Sequence, residues 1–120
     1  MTDDRRLKAD KVLQQLFSQS SEDLPFTGKF GEYTVEHLFG EVWQGSELEI
    51  QERSLITCTI LAALVREAQL ETHLKGAKNL GVPREKLEAM LTHLAHYAGW
   101  PAAVTGMKVL NNVWPVEEPS

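Results

Sequence analysis

The chain has 120 residues, 12 of them basic and 17 acidic, for a net charge of −5. That balance excludes the basic footprint of a nucleic-acid binder, and the one cysteine, Cys58, excludes an internal disulfide or CxxC chemistry. The polar start M-T-D-D-R-R-L-K lacks the apolar stretch of a signal peptide, and no run of about 18 apolar residues is present to span a membrane, so the expectation is one cytoplasmic domain, 1–120, with no membrane and no nucleic-acid partner.

No stretch has the alternation of a strand, and helical spacing dominates. A first helix is predicted over about 4–18, with Ala9, Val12, Leu13, Leu16 and Phe17 on one face. S-Q-S-S-E-D-L-P, 18–25, is a loop rich in turn formers. A second helix is predicted over about 27–43, with Phe30, Thr34, Leu38 and Val42 on its apolar face and a polar row of Tyr33, His37 and Glu41. Gly28 and Gly31 weaken its start. Gln44-Gly45-Ser46 breaks the pattern. The third helix, about 50–66, is apolar nearly all round from Leu55 to Leu64 and is therefore expected at the centre of the core.

The fourth helix, about 68–79, places Leu70, His73, Leu74 and Ala77 at i, i+3, i+4 and i+7. A titratable ring on such a stripe costs stability unless it is hydrogen-bonded. His73 is thus either a core histidine satisfied by a neighbour or a functional group. Gly81 ends this helix and Pro83 opens the fifth, with Glu85 favourably placed in its first turn. Leu87, Met90, Leu91, Leu94, Ala95 and Ala98 form the cleanest apolar stripe in the chain. Gly99-Trp100-Pro101 separates it from a sixth helix carrying Ala103, Met107, Leu110 and Trp114, and residues 115–120 read as a frayed tail. The fold class is all-α, with about six helices.

The polar groups out of keeping with these stripes are Glu41, Arg53, His73, His93, His96 and Tyr97. His93 stands i, i+4 to Tyr97 and i, i+3 to His96, so the fifth helix can present a polar edge. No HExxH motif and no Cys/His cluster is present, so no metal site is expected. Three of them have a plainer reading: an interhelical hydrogen bond for His93, a solvated flank for His96, an ion pair with Glu49 or Glu52 for Arg53. Ser54 lacks the G-x-S-x-G setting of a serine nucleophile.

Six segments in order carry a family resemblance: G-E-V-W at 40–43, E-R-S-L-I-T at 52–57, I-L-A-A-L at 60–64, L-E-T-H-L-K-G-A at 70–77, N-L-G-V at 79–82 and H-Y-A-G-W-P-A-A at 96–103. Together they resemble the carboxymuconolactone decarboxylase family over about residues 25–114. The resemblance implies the all-α, alkylhydroperoxidase D-like helical domain, and homo-oligomers, trimers or hexamers. The peroxidase branch of that family carries CxxC before its histidine and a glutamate on the preceding helix. With His73 at the histidine position, the cysteine positions hold Arg66 and Gln69 and the glutamate position falls at about Ser54. A thiol peroxidase is therefore not expected.

The decarboxylase branch implies cofactor-independent loss of carbon dioxide from 4-carboxymuconolactone in the breakdown of an aromatic compound, protocatechuate. By that resemblance and by chemical type, Arg53 would hold a substrate carboxylate and His73 would serve as acid/base. Glu41 would orient His73 or supply the proton, and His93, Tyr97 and Trp43 would line the pocket. A family member of other activity, or a binding or assembly module, is the alternative, because fold does not fix function.

Overall fold

A computed structural model describes residues 4–116. Among these residues the elements are α1 (Asp4–Phe17), α2 (Gly28–Glu32) running into a π-helical segment (Tyr33–Phe39), α3 (Ile50–Ala63), α4 (Glu67–Asn79), α5 (Arg84–Ala98) and α6 (Trp100–Val113). Short 3-10 turns occupy Ser21–Asp23 and Val42–Gln44. The class is all-α, as the spacing predicts. Two compact units divide the chain, Met1–Ile50 and Gln51–Ser120.

In the first unit α1 buries Ala9, Val12, Leu13 and Leu16, the face expected of it. Phe17 meets Phe39 edge to face, with ring centroids 6.4 Å apart. The loop after α1 is held by its own polar groups: the Ser21 amide donates to Asp10 Oδ1 at 2.7 Å and the Ser20 amide to Asp23 Oδ2 at 2.8 Å.

The second helix departs from expectation. Its buried side is Gly31, Val35 and Phe39, whereas Phe30 is 67% exposed and Leu38 and Val42 also face outward. The predicted face was thus displaced by one position. The shift is already present at Gly31, where the backbone packs so closely that a Cβ would lie 2.6 Å from the Phe26 carbonyl oxygen, and it is carried unchanged to Phe39, where the Gly40 amide bonds back five residues to the Val35 carbonyl at 2.9 Å. The helix also ends at Phe39, short of the predicted 43.

In the second unit one apolar cluster joins Cys58 and Ala62 of α3, Leu70, Leu74 and Ala77 of α4, Leu87, Leu91 and Leu94 of α5, and Ala102, Ala103 and Leu110 of α6. At Gly106 α6 has no room for a side chain. A Cβ there would lie 2.6 Å from Leu91 Cδ2 and 3.7 Å from the Ala62 methyl. Ala98, the last member of the predicted α5 stripe, is exposed.

α3 is not enclosed as its composition suggests. Only Ser54, Cys58 and Ala62 are buried, while Ile56, Ile60 and Leu64 stand 44%, 52% and 60% exposed on another face. Its two threonines satisfy themselves on the helix backbone, Thr57 donating to the Arg53 carbonyl at 2.9 Å and Thr59 to that of Leu55 at 2.7 Å.

The links after α3 and α4 share a hydrogen-bond pattern. The Arg66 and Val65 amides close onto Leu61 and Ala62 carbonyls at 2.9 and 3.1 Å; the Val82 and Gly81 amides close onto Ala77 and Lys78 carbonyls, both at 3.0 Å. This termination needs a left-handed residue. Gly81 supplies it with φ 85°, but after α3 the position is held by Val65 at φ 56°. The α5–α6 pair is clasped at its open end, where Arg84 donates to the Trp114 carbonyl and to Asn111 Oδ1.

Candidate functional site

The expected site residues fall in both units. Arg53, His73, His93 and Tyr97 belong to Gln51–Ser120, and Glu41 and Trp43 to Met1–Ile50.

His73 lies at the margin of the α4 stripe. Leu70, Leu74 and Ala77 are buried, and the imidazole is half-buried. Burial pushes its pKa down from the ordinary value of 6.5, because a cation is poorly solvated there. The ring is therefore neutral at rest near pH 7. Arg53 is half-buried on the first turns of α3, one residue before the fully buried Ser54.

His93 and Tyr97 are brought together, their rings 5.1 Å apart and tilted by 30°, and both face outward, Tyr97 being 83% exposed. One turn round, His96 donates from Nδ1 to the Thr92 carbonyl at 2.8 Å and meets Trp100 edge to face at 5.9 Å. The expected polar edge of α5 thus exists as two ring pairs on the surface.

In the first unit Glu41 follows the π-helical segment. Arg5 Nη1 lies 2.6 Å from its Oε1, and His37 Nδ1 lies 3.8 Å from the same oxygen. The Arg5 hydrogen bond holds the Glu41 carboxyl below its ordinary range, with smaller help from His37. Trp43 packs on Phe39 with ring centroids 5.8 Å apart. It lines a cleft of about 660 Å³ with Lys8, Lys11, Gln15, Gln44 and Ser46. Gln44 is fixed there by donating to the Phe39 and Lys8 carbonyls at 2.8 and 3.3 Å.

Arg5 is the residue that reading the sequence missed. The signal was present: two arginines, Arg5 and Arg6, open α1, where the helix dipole disfavours cations. Such residues need a carboxylate from elsewhere, and Glu41 provides one.

Cys58 is fully buried. Desolvation pushes its thiol up to about 12 against a smaller opposing hydrogen bond from Ser54. It is a packing thiol, not a nucleophile. Among the described residues no three His, Cys, Asp or Glu side chains are grouped so as to hold a metal ion, and no helix is long and apolar enough to cross a membrane.

Residues 28–112 match the carboxymuconolactone decarboxylase family. The chain belongs to that family. A 4-carboxymuconolactone decarboxylase of Acinetobacter baylyi is 31% identical over 121 residues, covering 95% of this chain and 90% of that protein. A nitrosuccinic acid decarboxylase of Metarhizium robertsii is 33% identical over 85 residues, 71% of this chain and 59% of that protein. A shorter match, 42% over 62 residues, links 48% of the chain to 21% of peroxisomal protein 2 of Saccharomyces cerevisiae. Glu41, Trp43, Arg53, His73, His93 and Tyr97 all lie within the span matched to the carboxymuconolactone decarboxylase family, whereas Arg5, Lys8 and Lys11 precede it.

Proposed function

We propose that this family member is a cofactor-independent decarboxylase of a small carboxylated lactone of the 4-carboxymuconolactone type. The near full-length similarity to a 4-carboxymuconolactone decarboxylase supports that substrate class. The observation that carries the mechanism is the half-buried imidazole of His73, its pKa pushed down by burial, inside the family-matching span.

The reaction breaks the bond to a carboxylate carbon and releases carbon dioxide. The electron pair passes into the conjugated lactone carbonyl, and a proton is then delivered to carbon. The lactone is its own electron sink, so the protein need only hold the anion, stabilise the spreading charge and supply the proton. Arg53 holds a carboxylate through its planar fork. His73 delivers the proton. It rests neutral, but a bound dianion favours its charged form, so it takes up a proton as substrate binds. Glu41 is assigned to the same reaction by the family resemblance alone.

The test is turnover of 4-carboxymuconolactone followed by lactone absorbance. His73→Gln is expected to lower kcat by roughly 100-fold or more while the folded fraction is unchanged. In the wild type, kcat/KM falls as pH rises through the depressed His73 pKa, and the variant lacks that limb. Specific activity that survives His73→Gln overturns the assignment. Nitrosuccinate is the second substrate to try, because a nitro group beside a carboxylate can also accept the electron pair and a nitrosuccinic acid decarboxylase is among the relatives.

A further inference from the structure

The Glu41 carboxylate is built into its surroundings more firmly than a chance surface pair. It accepts from Arg5, 36 residues away in sequence, at 2.6 Å. Its neighbour Gly40 has no room for a side chain: a Cβ would lie 2.5 Å from the Glu36 carbonyl oxygen and 2.6 Å from that of Arg5. The α1 backbone is therefore pressed against the end of the π-helical segment at the very residue that donates the guanidinium. The π turn sets the register of this end, through the Gly40 amide on the Val35 carbonyl and the Glu41 amide on the His37 carbonyl at 3.0 Å. π turns of this kind often mark functional positions. An exposed ion pair adds little to stability, so stability gives weak reason for a close backbone approach that excludes any side chain at position 40.

We propose that Arg5 is a positioning residue for Glu41, clamping its carboxylate as an anion turned toward α1, so that Glu41 acts in turnover as a fixed negative charge or proton acceptor and not as the proton donor. This rests on the reading of Glu41 as a group that serves the decarboxylation. It separates the two roles that chemical type alone leaves open for Glu41, and it leaves proton delivery to His73. Among the described residues, these charged groups stand about the carboxylate. From α1 comes Arg5, with Lys8 one turn on and paired to Asp4 at 3.9 Å; from its own helix comes His37. The Val42–Gln44 turn brings none.

The experiment follows the Glu41 side-chain carboxyl carbon by NMR as pH is lowered, in the wild type, Arg5→Gln and Arg5→Lys, beside pH profiles of kcat/KM. Arg5→Gln is expected to move the Glu41 midpoint upward toward the ordinary glutamate value and to carry the acid limb of kcat/KM with it. Arg5→Lys, which keeps the charge, is expected to restore most of both. Circular dichroism confirms that the variants fold. A Glu41 midpoint that does not move in Arg5→Gln overturns the Arg5 assignment whatever the activity shows. A midpoint that moves while the kcat/KM profile stays in place overturns the positioning role. Full turnover in Glu41→Gln overturns the reading of Glu41 itself, a failure the carboxyl titration tells apart from the first.

Discussion

At the scale of single residues, burial decides the chemistry of two side chains, and each leaves a measurable trace. The pKa of His73 is lower in the folded chain than the 6.5 of a free imidazole. Below about 6.5 the unfolded chain gains a proton that the folded one still refuses, so stability falls as pH drops toward the folded value and is unaffected above neutrality. Denaturant titrations from pH 7 to pH 5 should show this loss in the wild type and a smaller one in His73→Gln. Cys58 behaves in the opposite sense, its thiol held protonated up to about 12. A thiol-specific disulfide reagent at pH 8 should leave it untouched in the folded protein and label it promptly in denaturant. Rapid labelling under native conditions would revive thiol chemistry for this chain.

Among elements, those stabilised by their own apolar stripe could be read from sequence. α1, α4, α5 and α6 turn inward the faces their spacing predicts, with Phe17, His73, Met107 and Trp114 only half-buried and Ala98 exposed. The second helix could not, because Val35 and Phe39 are as apolar as Phe30 and Leu38, so the same spacing fits either of two neighbouring faces. α3 could not either, because an apolar residue is compatible with burial without requiring it. Of the candidate site, the sequence offers a set of residue types and no geometry. The Arg5–Glu41 pair was not, since its partners lie 36 residues apart and nothing local joins them. The two helix ends built alike offer a controlled comparison. Val65 holds a left-handed conformation that suits glycine, whereas Gly81 is the residue its turn asks for. Val65→Gly should stabilise by about 1 kcal/mol, raising Tm by roughly 3–5 °C. Gly81→Val should lower Tm by a comparable amount. An unchanged Tm in both would mean the two turns relax freely.

For the molecule as a whole, the outward apolar side chains matter most. Ile60, Leu64, Tyr97 and Trp100 are each more than half exposed, and isolated chains seldom leave so much apolar surface in water. We propose that copies of the chain associate, as homo-oligomers of the trimer or hexamer kind that the family resemblance implies, and that this covers part of that surface. Multi-angle light scattering at micromolar concentration should give a mass several times 13.5 kDa. Ile60→Lys should lower it, and a monomeric wild type would refute the proposal.

The Arg84 clasp sets how the last helical turn opens. Its guanidinium ties the start of α5 to the Trp114 carbonyl and to Asn111, while the Trp114 amide donates to the Leu110 carbonyl at 2.8 Å. A helix end held only by its own backbone frays, and its amides trade protons with water far sooner than those of the interior. With the clasp in place, the Val113 and Trp114 amides should exchange deuterium on the slow schedule of mid-helix α6. In Arg84→Ala they should exchange with the fast fraction, leaving the Leu91 and Leu94 amides in α5 as slow as before.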